Sequence, residues 1–215
     1  MVLIFIDLIQ LIVEAFAFLV GLICFNYLPT AYKLIAIQLI AAFIFEFSGY
    51  ILRKYGIGNV WLFNIYIFLE AILLIKASRN FYLFNNKLFL FLAIPIFFWF
   101  YSVFKNVFNY FTSIAYVSFS IAILIVYLNL LFKSVLTYRG DLVKLPTLWL
   151  AIGVILFFGC NIPYLSMFNY LCNNFNQEVN NTLHLILKTF CNLRYILMAI
   201  SLIMASRQNQ ILSGR

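Results

Sequence analysis

Three glutamates, Glu14, Glu46 and Glu70, stand inside segments that are otherwise apolar. Two cations, Lys188 and Arg194, stand in another such segment, with His184 four residues before the lysine. An ionisable side chain in a bilayer costs roughly 2.5 to 3.5 kcal/mol on insertion scales, so it turns inward toward a partner or a wet cavity. Acids and bases placed this way either pair to fix packing or handle a small polar ligand, an ion or a proton. Uncharged groups recur on the same faces. Tyr66 precedes Glu70 by four residues, and Asn64 lies about 120° round from Glu70 at 100° per residue. His184, Lys188 and Asn192 recur every four residues as one polar stripe, with Arg194 to its side. Asp7, Gln10 and Glu14 share a face at i, i+3 and i+7. Asn161 sits in a run interrupted by Gly159 and Pro163. The candidate pocket is therefore Glu14, Glu46, Asn64, Tyr66, Glu70, Asn161, His184, Lys188 and Arg194, with at least one carboxylate pairing to Lys188 or Arg194.

The elements that must position these groups follow from composition. Of 215 residues, 66% are hydrophobic and 20% aromatic, and only 9% are charged, against about 25% charged in a soluble domain. This composition is that of an integral membrane protein. A spanning helix needs about 20 mostly apolar residues, and seven such runs are present, at roughly 2–25, 33–52, 60–78, 87–104, 109–132, 146–170 and 182–205. The alternation of a membrane β-barrel is absent. The predicted fold is all-α, a polytopic seven-helix bundle forming one transmembrane domain over residues 1–215. The first run starts at Val2 without a basic leader and carries Asp7 and Glu14, so it reads as the first helix rather than a cleaved signal peptide.

Between the runs, Pro29 stops the first helix and Thr30 is placed to cap the second. Ser48 and Gly49 are small enough to admit a neighbouring backbone. Gly56 and Gly58 mark the turn before the third helix, and Trp61 suits a membrane interface. Residues 79–87 read as a polar connection. The fourth helix is Phe-rich, carries Pro95 and should face lipid most. The hydroxyls of Ser113, Tyr116, Ser118 and Ser120 in the fifth are expected to bond back to their own backbone. Residues 133–146, with the turn Arg139-Gly140-Asp141, form the longest loop on the basic side, where an effector protein would dock. Gly159 and Pro163 should interrupt the sixth helix and release backbone groups near a binding site. Residues 172–181 read as an Asn-rich loop, and Asn180-Asn181-Thr182 matches a glycosylation acceptor of low specificity.

The net charge of +8 is distributed as topology anchors rather than as a nucleic-acid surface. With the N-terminus outside, Lys33, Lys76, Arg79, Lys87, Lys133, Arg139, Lys144, Arg207 and Arg215 fall on one side, and Arg53, Lys54 and Lys105 on the other. Nine against three places the C-terminus in the cytoplasm, and the expected location is a cell inner membrane. Enzyme chemistry finds little to build on: the chain has one His and no Cys-x-x-Cys, paired-His or Gly-x-Ser-x-Gly pattern. The four cysteines are scattered, with only Cys172 expected in water, which suggests neither a disulfide framework nor a metal site.

Two resemblances bear on function. Seven helices, an outside N-terminus and Lys188 in the last helix resemble a microbial rhodopsin, which implies retinal on Lys188 with Glu70 as counter-ion. The Arg-Tyr-x-Asp-Trp pattern of that family's third helix is missing, however, and His184 stands where its Asp precedes the lysine. Phe45-Glu46 to Gly49-Tyr50, Leu62-Phe63-Asn64-Ile65-Tyr66 with Glu70, Pro146 to Trp149 with Gly153, Gly159-Cys160-Asn161 and His184 are similar to a group of small seven-helix membrane proteins of Bacteroidota with no known activity. That likeness spans helices 2, 3, 6 and 7 and implies a shared polar core of Glu46, Asn64, Tyr66, Glu70, Asn161 and His184. Lys188 departs from it, since Asn is more typical there.

The expectation is thus a multi-pass membrane protein with an outward-facing polar pocket for a small polar ligand or ion, acting as a sensor or transporter component. Its expected partners are the bilayer, that ligand and an effector protein, without nucleic acid, metal or cofactor. No 3+3 internal repeat of the transporter type is visible, which favours sensing. The alternatives are an accessory subunit of a membrane complex and the retinal photoreceptor.

Overall fold

The computed structural model describes residues 2–81, 88–106, 113–174 and 177–212. Within them lie seven α-helices: α1 (Val2–Cys24), α2 (Thr30–Lys54), α3 (Val60–Phe81), α4 (Leu88–Asn106), α5 (Ser113–Thr137), α6 (Pro146–Asn174) and α7 (Gln177–Leu212). No strand occurs among the described residues. Among the described residues, α1, α2, α3, α5, α6 and α7 each contain a stretch long and apolar enough to cross a membrane, as the length of a bilayer core demands. The chain is a membrane protein, its outer surface carrying rows of exposed apolar side chains such as Ile12, Phe16, Leu19 and Ile23 on α1.

Those six helices close a ring in which α1 packs on α2, α2 on α3, α3 on α5, α5 on α6, α6 on α7 and α7 back on α1. Helix α4 stays outside it, packed on α5 and pinned to α3 where the Trp99 indole donates to the Asn64 carbonyl at 3.0 Å and stacks on Phe68. Ile94, Phe97, Phe100 and Phe104 of α4 are exposed, the Phe-rich outer surface expected of it.

The ring has two unlike ends. At one, α7 is clamped to its neighbours: Asn209 donates to Tyr27 O at 2.9 Å, Gln208 to Lys144 O at 2.8 Å and Ser201 to Pro146 O at 2.8 Å. Above this clamp Ile35, Leu39, Leu74, Leu130, Leu150, Met198 and Leu202 are sealed from solvent, and the Tyr127 hydroxyl donates to Leu74 O at 3.1 Å. At the other end, Gly56 closes α2 with φ of 71°, a left-handed conformation that a Cβ disfavours. Gly56 N donates to Arg53 O at 3.0 Å and Ile57 N to Leu52 O at 2.9 Å, which satisfies the last carbonyls of the helix in a Schellman motif. Asn59 then ties this turn to α2, its amide donating to Gly49 O at 3.2 Å.

Several sequence expectations are corrected here. Thr30 is the first helical residue of α2 and Pro29 occupies the cap position, so no side chain caps the helix. At Gly49 the close neighbours are the Phe63 ring and the Asn59 amide, side chains rather than a backbone. Helix α3 runs on to Phe81 and α5 to Thr137, so the connection expected at 133–146 shrinks to 138–145. There Asp141 Oδ1 accepts from Val143 N at 3.2 Å. Helix α6 continues through Pro163 to Asn174, because a proline deletes only one amide donor and ring neighbours can hold the helix together. Helix α7 starts at Gln177, which puts Asn180-Asn181-Thr182 in its first turns rather than in a loop. Ser118 and Ser120 do bond back, to Ala115 O and Tyr116 O at 2.8 Å each. The polar connection at 82–87 with Lys87, Arg215, and the side chains of Asp7, Lys105, Ser113, Cys172, Glu178 and Asn180 lie outside the described residues.

Candidate functional site

At the end of the ring marked by the Tyr55–Asn59 turn, two cavities follow one another into the bundle. The outer one, of about 440 Å³, is lined by polar groups Glu46, Arg53, Asn59, Asn161, His184 and Lys188. The inner one, of about 220 Å³, is lined by Glu14, Tyr66, Glu70, Tyr116, Arg194 and Tyr195 together with Glu46 and Asn161. Gln10, Glu46, Phe63, Phe157, Asn161, Leu165 and Cys191 line both and form the neck between them. On α1, α2, α3 and α7 the inner cavity extends further from the turn: to Glu14, Ala42, Glu70 and Tyr195 respectively. Below it the sealed apolar core begins.

Arg194 governs the inner cavity. It is 1% exposed, and its Nη1 lies 2.8 Å from Glu70 Oε1, with Glu70 itself 3% exposed. At this distance the two groups form a close buried ion pair. Glu70 Oε1 also accepts from Gln38 Nε2 and from the Tyr66 hydroxyl, each at 3.0 Å, and Gln38 Nε2 donates to Tyr66 as well. Arg194 Nη2 donates to the Tyr195 hydroxyl at 3.0 Å, and the guanidinium lies 3.9 Å from the centre of the Phe157 ring. A cation over an aromatic face in a desolvated site gains about 2 kcal/mol, which partly offsets the cost of burying it. Arg194 Nε has no acceptor among the described residues.

Two further buried groups in this cavity are incompletely bonded. Glu14 Oε1 accepts from Gln10 Nε2 at 2.8 Å, a pair one helical turn apart, whereas Glu14 Oε2 has no partner among the described residues. The Asn161 amide nitrogen likewise has none. Buried polar atoms are nearly always satisfied, so each of these atoms calls for a partner such as a water, an ion or a ligand group. In the outer cavity Glu46 faces Arg53 at 3.8 Å, the arginine being 48% exposed, a loose pair worth little by itself.

Eight of the nine residues expected in a pocket line these cavities: Glu46, Asn161, His184 and Lys188 the outer, and Glu14, Tyr66, Glu70 and Arg194 the inner. Asn64 lines neither and is wholly buried on the side of α3 where Trp99 reaches its carbonyl. Its 120° offset from Glu70 turns it toward α4 instead. Glu70 pairs with Arg194 and not with Lys188, which stays in the outer cavity. Asn192 closes the polar stripe in sequence, but it lines neither cavity. Several members of the site escaped the sequence reading. Gln10 and Gln38 were visible as polar residues one turn from Glu14 and two turns from Glu46, yet nothing in spacing tells which neighbouring helix such a group meets. Arg53 read as a topology anchor, and neither Phe157 nor Tyr195 was among the residues expected in the pocket.

The described residues contain no group of His, Cys, Asp and Glu able to hold a metal ion. Cys24, Cys160 and Cys191 are free thiols. Compared with protein-family models, with curated proteins and with solved structures, the chain finds no match in any of the three. What fold and site define is a class: a helical membrane protein with two adjoining cavities whose mainly apolar walls carry charged and polar groups.

Proposed function

We propose that this protein binds a small polar ligand or ion in the two-part cavity, as the sensing element of an inner-membrane system or as a component of a transporter. One observation carries the reading: an arginine wholly inside the bundle, ion-paired at 2.8 Å, lines the same cavity as Glu14 and Asn161, each of which has a buried polar atom without a partner among the described residues. A purely structural ion pair requires no cavity around it, and packing would fill one. Binding pockets combine apolar walls with a few convergent polar groups, and this one does so. The absence of a visible 3+3 internal repeat of the transporter type favours sensing.

The same reading places the cavity mouth and the N-terminus outside and the C-terminus in the cytoplasm. Supporting it, Lys33, Lys76, Arg79, Lys133, Arg139, Lys144 and Arg207 all belong to the opposite end of the ring from Arg53 and Lys54, as the positive-inside rule requires of short connections. Helix α4 is proposed as the seventh span, held against the ring from the lipid side. In a variant whose native cysteines are replaced, His184→Cys is expected to react with a membrane-impermeant maleimide in intact cells, and Lys144→Cys only after permeabilisation. The reverse pattern would invert the topology.

The retinal alternative gains no support, since Glu70, its counter-ion, is engaged by Arg194 while Lys188 lines the other cavity. The direct test of ligand binding is a thermal-shift screen of the detergent-purified protein across small metabolites and ions. A compound that raises the melting temperature of the parent, and does so far less in His184→Ala and Asn161→Ala, establishes the pocket through binding to the folded state. His184 is exposed and the Asn161 amide nitrogen has no partner to lose among the described residues, so both variants should fold. A screen without response leaves the accessory-subunit reading, to be pursued by co-purification.

A further inference from the structure

The two cavities differ in charge, and the difference points to a kind of ligand. The inner cavity presents three carboxyl groups, Glu14, Glu46 and Glu70, against one guanidinium, that of Arg194. That guanidinium is already matched by Glu70. What remains is a carboxyl acceptor: Glu14 Oε2 has no partner among the described residues. The outer cavity shows the opposite bias, with Arg53, His184 and Lys188 against Glu46. Between the two, the neck has an apolar side made by Phe63, Phe157, Leu165 and Cys191, next to Gln10, Glu46 and Asn161.

An inorganic cation alone would use the carboxyl floor but neither the basic mouth nor the apolar side of the neck. An inorganic anion would find Arg194 taken and the floor repulsive. A molecule that fits all three zones carries a cationic group at one end, an anionic group at the other and a short hydrocarbon body between. We propose that the ligand is a small zwitterion of the amino-acid type, its ammonium bonded to Glu14 in the inner cavity and its carboxylate held among Arg53, His184 and Lys188 at the mouth. The inner cavity, about 220 Å³, holds roughly seven waters at about 30 Å³ each, enough for an amine and a few methylenes. This proposal rests on the reading of the cavity as a binding site and adds the chemistry of what enters it.

The probes are a homologous series of ω-amino acids from glycine to aminohexanoate, with the matching n-alkylamines and n-alkanoates, measured by thermal shift and calorimetry on the purified full-length protein. One chain length is expected to bind best, and its amine-only and acid-only counterparts about tenfold or more weakly, as loss of a charge-assisted bond implies. Glu14→Gln, which retains the size of the side chain, should weaken the best ω-amino acid by a similar factor. It should leave the binding of any alkanoate unchanged. Lys188→Gln should do the converse, weakening the acid-bearing probes and sparing the amines.

An alkylamine that binds as tightly as its amino-acid counterpart, and loses binding in Glu14→Gln, would overturn the zwitterion while retaining the cavity as a cation site. An alkanoate that does so, sensitive to Lys188→Gln alone, would likewise reduce it to an anion site. No binding by any member of the series overturns the proposal too, and the broader metabolite screen then decides separately whether the cavity binds anything.

Discussion

Replacing Glu70 with Ala is expected to destabilise the protein by about 3 to 5 kcal/mol, the cost of leaving one member of a buried ion pair uncompensated. The reason lies in what converges on that carboxylate. Arg194 is 1% exposed and its nearest charged neighbour is Glu70 Oε1 at 2.8 Å, while Gln38 and Tyr66 donate to the same oxygen. Side-chain hydrogen bonds inside membrane proteins average only about 0.6 kcal/mol, because the unfolded chain in lipid also finds partners. The two donors therefore explain little of the loss, and the stranded guanidinium most of it. Removing both charges should then be far milder than removing one: Glu70→Leu with Arg194→Met is expected to recover most of the stability and none of the ligand response. Chemical or thermal unfolding in micelles reads both. A Glu70→Ala protein that unfolds like the parent would show that Arg194 is not held as described.

Gly153→Val is expected to cost about 1 to 3 kcal/mol, the penalty of overpacking a filled interior, and to weaken ligand binding with it. A Cβ at this position would lie 3.1 Å from Leu197 Cβ and 3.4 Å from the Arg194 carbonyl oxygen, with the Arg194 Cα at 3.6 Å. Helices α6 and α7 thus meet backbone to backbone at the residue that carries the guanidinium. A small residue at a helix contact is what allows such approach in a membrane. Pushing α7 away moves Arg194 relative to Glu70 and to Phe157, which is how a change in packing reaches the cavity. Gly159, on the same helix, provides the contrast, since a Cβ there meets nothing within 4 Å. Gly159→Ala should be neutral or stabilising by up to about 1 kcal/mol, the helix propensity gained over glycine. Equal behaviour of the two glycine variants, in unfolding and in ligand titration, would refute the close-approach account.

These expectations differ in how far they could be made from the sequence. That Tyr66 would sit beside Glu70, and Gln10 beside Glu14, follows from one helical turn of spacing, and the hydrogen bonds at 3.0 and 2.8 Å are local events within one helix. That the chain is an all-helical membrane protein follows from apolar runs of spanning length, whose backbone can be satisfied in lipid only by helices or closed barrels. The helix ends were less legible. Helices α3, α5 and α7 run past the apolar segments that announce them, because polar residues continue a helix as readily as they end one unless Pro or Gly intervenes.

What only the tertiary structure decided is which groups meet across helices. From sequence, either Lys188 or Arg194 could meet a carboxylate and His184 and Lys188 led as counterparts of Glu46 and Glu70, whereas the ring assigned Arg194 to Glu70 and left Lys188 in the outer cavity. It also turned Asn64 toward α4, gathered Gln38 from α2 beneath Glu70, and kept α4 outside the six helices that close on one another. The physical reason is common to all of these. A helix that is apolar on every side carries almost no signal of its rotation or of its neighbours, because lipid and helix interior ask for the same side chains. The residue types alone specified that acids and bases would be buried. The rotation and order of the helices, set by contacts as particular as Gly153 against Arg194, specified which acid would hold which base and where the cavity between them would lie.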